Sequence, residues 1–261
     1  MAQLIRAAKS AMHWSAHKLL AFNIVIQDVD RVTSFGTPRL PPATTVSRVV
    51  LDNVIDPPLP PPVVTYNERL FFTYLYCAND PQGDGDVPDF TSHLFRMLRL
   101  DHKEKAITRR RMMTFQMCGS HVVAEADCLL VVKSAKVISC NCRIPPSTAE
   151  PVPQVIAQAI AAFVENNRRH QHPSLQQTIP AITMVGPRPI FYKVPVTQDL
   201  VSSLMTAQYP SKPTIVQRLV PPVANKEAYM IEGMNTLRDR RVVFQCLKAM
   251  RAFLVSYSVS D

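Results

Sequence analysis

The feature that most constrains the fold is a change of hydrophobic period near Thr108. Before it, residues 66–77 and 90–100 have the apolar spacing of buried helices. After it, apolar and polar residues alternate in short runs separated by turns, as in β-strands. These runs cover residues 108–117, 121–132 and 137–144. The sequence therefore predicts two helices followed by three strands of one sheet.

A helix is predicted to follow these strands, over residues 152–166. Its apolar residues fall on one helical face, and Pro151 suits the first turn of a helix. The face consists of Val152, Ile156, Ala159, Ile160 and Phe163. Two further strands are expected at 181–185 and 189–194, and the last long helix at 237–255. This order predicts an α/β single domain with a mixed central sheet and flanking helices.

The chain length and a proline-rich segment set the expected domain organisation. With 261 residues, of which 47% are hydrophobic, the chain is long enough to bury a sizeable core. Residues 37–64 are rich in proline, and residues 57–62 contain five prolines, yet the segment is too apolar for a free linker. We predict that residues 1–64 form an N-terminal segment and a proline-rich strap packed on the body. Residues 65–261 are predicted to form the α/β domain.

The basic charge is compatible with two classes of partner. There are 29 Lys and Arg against 20 Asp and Glu, a net charge of +9. Such a charge is compatible with nucleic acid or acidic membrane surfaces but carries no information about fold. If the clusters face one way they form a phosphate-binding surface; the alternative is scattered charges that keep the protein soluble. The candidate residues are Arg109, Arg110, Arg111, Arg168 and Arg169, with a second cluster at Arg238, Arg240 and Arg241.

Apolar runs and cysteines indicate an intracellular protein, cytoplasmic or nuclear. No run approaches the ~20 apolar residues of a membrane helix, so no membrane partner is expected. The six cysteines lie in apolar runs, which is typical of reduced, buried thiols. Cys140 and Cys142 share a strand face and could bind zinc with Cys118 or Cys128. The sequence contains no C-x-x-C pair. We therefore favour the interpretation that these cysteines are small buried side chains without a metal.

Asp127 is the sharpest candidate for a functional residue. It lies inside the apolar run 126–132, where a carboxylate is costly unless it is paired or binds a metal. A hairpin, a further strand and a helix carrying Gln158 follow. This order resembles the core of PD-(D/E)XK nucleases. There, two acids hold Mg²⁺ and a lysine positions or activates the attacking water.

Several segments also resemble a numerous family of uncharacterised basidiomycete fungal proteins. The resemblance spans roughly residues 22–254 and is carried by residues 118–127, 150–167, 182–186, 189–197 and 233–241. It implies a restriction-endonuclease-like core. Members of the family typically carry Glu-Asp-Lys-Arg where this chain has Cys-Asn-Cys-Arg at 140–143.

This departure removes the expected partner of Asp127. In one register Cys140 and Cys142 replace the family's Glu and Lys. In the other, Asn141 and Arg143 replace them, and strand alternation favours this second register. Glu125, which alternates onto the face of Asp127, and Glu68 on the first helix are the candidate replacements. The candidate catalytic residues are Asp127, Glu125, Glu68, Asn141, Arg143 and Gln158.

The resemblance and the departure together give the functional hypothesis. We expect a catalytically degenerate nuclease-fold protein that acts as a binding or accessory protein, with nucleic acid, bound irrespective of sequence, as the candidate ligand. One alternative is an active Mg²⁺-dependent nuclease that uses Asp127, Glu125 and Glu68. Another is an accessory protein of a fungal biosynthetic gene cluster. Whether the chain is an enzyme stays open. No cofactor or bound metal is expected unless the nuclease alternative holds, and Asp127 is expected to accept hydrogen bonds, with Arg143 as a candidate donor.

Overall fold

The fold was obtained as a computed structural model. It describes residues 6–80, 86–101, 105–132, 135–143, 151–168 and 172–251. Within these ranges the side chains at 86, 135–138 and 143 are not described.

Seven described strands form one mixed sheet, in the order β1-β7-β6-β5-β4-β3-β2. Two neighbouring pairs, β1–β7 and β4–β5, are parallel, and the other neighbours are antiparallel. The strands are β1 Ile24–Asp28, β2 Lys105–Met117, β3 Ser120–Val132, β4 Ala135–Arg143, β5 Gln176–Val185, β6 Arg188–Thr197 and β7 Thr214–Leu219. β1 and β2 are therefore the two edges of this sheet.

The described helices lie on both faces of this sheet. They are α1 Ala16–Ala21, α2 Arg31–Phe35, α3 Arg48–Asp52, α4 Tyr66–Asn79, α5 Asp86–Met97, α6 Pro151–Asn167, α7 Gln198–Met205, α8 Lys226–Glu232 and α9 Leu237–Met250. Two short 3-10 turns occur at Ala11–His13 and Gly233–Asn235. The predicted mixed α/β class and single domain are confirmed. The predicted continuation of the last helix to residue 255 lies outside the described residues.

The three predicted central strands form as expected because their local signals agree. Cys118 and Gly119 both have positive φ, 50° and 76°, which closes the tight turn between β2 and β3. The N–H groups of these two residues donate to the carbonyls of Leu204 and Met205 at the end of α7. The turn is therefore fixed both by its own residues and by the neighbouring helix.

Each face of the sheet has its own apolar core. On one face, α6 is buried almost completely, with Ile156, Ile160 and Phe163 all at 0% exposure. On the other face, α4, α5 and α9 pack over β3 and β4. Helix α6 connects β4 to its parallel neighbour β5, as a crossover between parallel strands requires. The predicted packing of this helix on the sheet is confirmed.

The proline-rich segment contacts the second core. Val46 and Val50 are buried in the cluster that contains α4 and α9. The prolines themselves are mostly exposed and form turns, in which Leu59 N–H donates to the Pro57 carbonyl. The domain boundary at residue 64 stays a prediction.

Candidate functional site

Asp127 lies where β3 and β4 separate. The last residue pair before this point joins Cys128 to Cys140. In an antiparallel strand every second N–H points to the same neighbour, so the N–H of Cys142 faces β3 as that of Cys140 does. It donates to Asp127 Oδ2 over 2.8 Å. The Asp127 carboxylate thus takes the place of a strand carbonyl, and the expectation that it accepts hydrogen bonds is confirmed.

A distortion of β2 and β3 accompanies Asp127. Arg110 lies opposite it between two regular residue pairs and has a φ of 49°, which is rare for a residue with a side chain. Ala126 packs into the core beside α6, whereas Cys128 packs into the core on the other face. Regular alternation therefore does not continue through Asp127. Strand alternation thus gives no support for placing Glu125 on the same face as Asp127.

Gln158 on α6 joins two strands at this point. Ser139 Oγ donates to Gln158 Oε1 over 2.9 Å, and Gln158 Nε2 donates to the Glu125 carbonyl over 2.7 Å. Ser139 and Gln158 are both at least 99% buried. The structure therefore brings Gln158 to the predicted site, where its contact with Glu125 is through the backbone. The side chain of Glu125 is exposed.

Gln154, one helical turn before Gln158, makes the equivalent link to Asn141. Gln154 Nε2 donates to the Met12 carbonyl over 3.2 Å, and its Oε1 accepts from Asn141 Nδ2 over 3.3 Å. The Met12 carbonyl can only accept, so it fixes the orientation of both amides. Asn141 Oδ1 is then left buried without a hydrogen-bond partner. Sequence reasoning missed Gln154, although its i,i+4 spacing from Gln158 places both amides on one helix face.

The predicted catalytic residue Glu68 has a different role, at the start of α4. The Glu68 carboxylate accepts from the Thr65 N–H, and the Glu68 N–H donates to Thr65 Oγ1, which together form the N-terminal capping box of α4. Burial raises its pKa, but hydrogen bonds from Ser47 and Thr65 outweigh burial and leave the pKa lowered. The side chain of Arg143, and with it the predicted hydrogen bond to Asp127, lies outside the described residues.

The donor set at Asp127 does not fit the two-acid magnesium site of the nuclease resemblance. The residue that follows Cys140 on β4 is the amide Asn141, and Asp127 has one oxygen engaged by a strand N–H. Within the described ranges, no group of three or more His, Cys, Asp or Glu is arranged to hold a metal ion. The described residues therefore also give no support to the zinc alternative.

Three cysteines share the opposite face of the sheet, under α5. Cys128, Cys140 and Cys142 are at most 5% exposed. Ser92 Oγ lies 3.5 Å from the Cys128 sulfur, and Thr91 Oγ1 lies 3.5 Å from the Cys142 sulfur. Burial raises the pKa of the Cys140 thiol well above its ordinary value. Cys246 is buried as well, whereas Cys77 and Cys118 are partly exposed, so the prediction of buried thiols is right for four of the six cysteines.

The predicted arginines on β2 lie on an edge strand. Arg110 and Arg111 are exposed, and Arg109 forms an ion pair with Asp89 of α5. A charged edge with a local distortion also resists pairing with a strand of another molecule. Arg110 and Arg111 are therefore placed to meet an external anion, while Arg109 has an internal partner.

Arg168, at the end of α6, reaches the same strand. Its Nη1 donates to Thr114 Oγ1 over 3.1 Å. Glu165, on the last turn of α6, accepts from Thr114 N–H over 3.3 Å, so an acid accompanies the arginine. Arg169 lies outside the described residues. The structure thus brings Arg168 to the edge strand that carries Arg109, Arg110 and Arg111.

The second predicted basic cluster is wrong, because Arg240 is a core residue. Arg240 is 0% exposed, and its guanidinium lies 5.1 Å from the ring centre of Phe71. It donates to the carbonyls of Val50, Asn53 and Met234. Burial lowers its pKa to about 10, which leaves it charged at neutral pH. A residue with these internal contacts is unavailable to a phosphate.

Comparison with known proteins adds no assignment. No protein-family model matches the chain, and no curated protein sequence matches it significantly. In the part of the chain that the structure describes, no helix is both long and apolar enough to cross a membrane. The fold defines a mixed α/β protein, and its function must be argued from the site alone.

Proposed function

We propose that this chain is a catalytically degenerate nuclease-fold protein that acts as a binding protein for the phosphate backbone of nucleic acid. The order of elements supports the nuclease-like part of the proposal. Three antiparallel strands are followed by a helix that crosses to a strand parallel to the third. Asp127 lies on the second of these strands, at the point where it leaves the third.

The observation that carries the loss of catalysis is the environment of Asn141. It follows Cys140 on β4, and the favoured register of the resemblance puts a metal-binding acid at this position. Its amide donates to Gln154, a hydrogen bond that a carboxylate could not donate. A hard divalent cation prefers several carboxylate oxygens, and this position supplies an amide.

The surface proposed for binding is the β2 edge, defined as Arg110, Arg111 and Arg168. Arg110 and Arg111 are exposed on an edge strand, and Arg168 is exposed against the same strand. A phosphate backbone is recognised by such cations irrespective of base sequence. Glu165 near Arg168 and Asp89 on Arg109 reduce the local charge, so the binding is expected to be weak.

Binding is tested by fluorescence anisotropy with labelled single- and double-stranded DNA and RNA at several salt concentrations. We expect the Arg110→Ala/Arg111→Ala variant to bind more weakly at low salt. The slope of log K against log salt should fall by about 1.4 to 1.8, the effect of two lost phosphate contacts. The matched control is Arg31→Ala/Arg39→Ala, which removes the same charge from exposed positions elsewhere.

Equal weakening in both double variants would show that net charge alone attracts the nucleic acid. No binding of the wild type at low salt would contradict the nucleic-acid proposal. It would favour an accessory role without this ligand.

The lost chemistry is tested separately. Calorimetry should show no Mg²⁺ binding to the wild type tighter than about 0.1 mM, because one carboxylate is insufficient. Asn141→Asp supplies a carboxylate where the favoured register of the resemblance has a metal-binding acid, so it should strengthen Mg²⁺ binding. The matched control Asn166→Asp, which changes a buried amide on α6, should not. Cleavage of DNA or RNA by the wild type with Mg²⁺ or Mn²⁺ would instead establish the active nuclease.

A further inference from the structure

Cys128 and Cys140 are directly opposite each other on the antiparallel strands β3 and β4. Their side chains share the face under α5, and both are 0% exposed. The N–H of Cys142 points to β3, so that of Cys140 does too, which makes Cys128 and Cys140 a hydrogen-bonded pair. The Cα atoms of such a pair are about 5.5 Å apart.

This separation suits a disulfide without movement of the strands past each other. Disulfides join Cα atoms about 4.4 to 6.8 Å apart and Cβ atoms about 3.5 to 4.5 Å apart. Opposed Cβ atoms in a sheet are about 4.5 to 5.5 Å apart, so the hairpin must close by about 1 Å. The register shift between Leu130 and Val131, two residues beyond Cys128, is an irregularity that can absorb this movement.

Cys142 is a poorer partner for either thiol. It is two residues beyond Cys140 on the same strand and therefore diagonal to Cys128. Diagonal neighbours across a sheet are about 7 to 8 Å apart, beyond the usual reach of a disulfide. The geometry thus selects one pair among the three cysteines of this face.

We propose that Cys128 and Cys140 form a reversible disulfide when the protein meets a peroxide. One thiolate attacks a peroxide oxygen, the O–O bond breaks, and the first water leaves with the thiol proton. The resulting sulfenic acid is attacked by the second sulfur, which forms the S–S bond and releases the second water. Two thiols lose two electrons and two protons, and one hydrogen peroxide becomes two waters.

The burial of both sulfurs determines how the reaction proceeds. A peroxide reaches them only when α5 or the end of the hairpin opens locally, so oxidation is slow compared with that of an exposed thiol. The same burial protects the disulfide once it has formed. The pair therefore responds to sustained oxidation and is insensitive to brief exposure.

The test uses the full chain, reduced and then treated with hydrogen peroxide under native conditions. The sample is unfolded in N-ethylmaleimide and analysed by intact mass and peptide mapping. All six cysteines are reduced in the structure, and after oxidation Cys128 and Cys140 should be recovered joined to each other. Dithiothreitol should restore six alkylated sites.

Variants supply the controls. Cys128→Ser and Cys140→Ser should each abolish the cross-link, whereas Cys142→Ser, on the same face, should retain it. Six alkylated cysteines after peroxide, a link through another cysteine, or oxidation that stops at sulfinic acid would each overturn the proposal. The peptide map of the wild-type protein decides the matter even if a serine variant fails to fold.

Discussion

Arg240 gives the most informative test of how the chain is held together. Its Nε donates to the Met234 carbonyl over 2.9 Å, and its Nη1 donates to the Val50 and Asn53 carbonyls over 2.7 and 2.6 Å. These bonds fasten the segment around α3 to the start of α9. Arg240→Met keeps an apolar stem of similar length against the phenylalanines of α4 and removes every donor.

The size of the effect follows from two opposing contributions. The three shortest of the five hydrogen bonds that Arg240 donates contribute about 2 kcal/mol each, or about 6 kcal/mol together, and the two longer ones, to the Val54 and Asn235 carbonyls, are left out of the sum. Burial lowers the pKa of Arg240 from 12.5 to about 10. This corresponds to about 3 kcal/mol against the charged form. The net loss expected for Arg240→Met is therefore about 3 kcal/mol, or a fall in Tm of about 6 to 12 °C.

Urea unfolding followed by the fluorescence of Trp14, which is the single tryptophan and is 4% exposed, measures this loss. Arg241→Met is the matched control. Arg241 is half-exposed and forms one surface ion pair with Asp52, worth at most about 1 kcal/mol. Protease should cut the segment near residues 48–54 faster only in Arg240→Met. Equal, small losses in both variants would refute the reasoning.

Three further changes test other parts of the structure. Gly233→Ala should cost more than about 2 kcal/mol in urea unfolding, because φ is 57° and a Cβ would lie 2.5 Å from the Pro187 carbonyl oxygen. Gly36 also has a positive φ, but a Cβ there would meet open space. Gly36→Ala should therefore lose less unfolding free energy than Gly233→Ala. Burial lowers the pKa of His93, so the fold favours its neutral form. This preference stabilises the fold fully above the unfolded pKa of about 6.5. The stabilisation is lost as pH falls below that value, by up to about 1.4 kcal/mol per pH unit until the folded pKa is reached. His93→Gln should remove that part of the pH dependence of unfolding, and an unchanged slope would contradict the assignment. Gln158→Leu should cost about 2 to 4 kcal/mol, since both its partners lose their hydrogen bonds, and a neutral result would show that water replaces them.

Local patterns were sufficient for the centre of the fold. The change of period at Thr108 falls inside β2, and the predicted helix 152–166 differs from α6 by one residue at each end. These elements are specified by alternation, by the Cys118-Gly119 turn and by one apolar helix face. Each of these patterns involves only a few neighbouring residues, so the elements can be predicted from the sequence alone.

Long-range contacts explain what the sequence did not show. Arg240 looks like a surface charge in its own helix, but two of its carbonyl partners, Val50 and Asn53, lie 190 and 187 positions earlier in the chain. The reversal of faces at Asp127 depends on the backbone of Arg110 on another strand. The alternation used to place Glu125 on the face of Asp127 therefore does not hold at Asp127, where β2 and β3 are irregular.

The position of β1 has a consequence for the order in which the chain folds. Ile24 pairs with Thr214, so the first strand has no sheet partner until almost the whole chain has left the ribosome. Parallel pairing across such a separation closes a very long loop, which slows folding. During synthesis β1 must wait with its backbone groups unpaired, and chains that stop before residue 214 would expose β6 as an open edge. Termination between residues 197 and 214 therefore leaves β1 without a partner and β6 with one open edge at the same time.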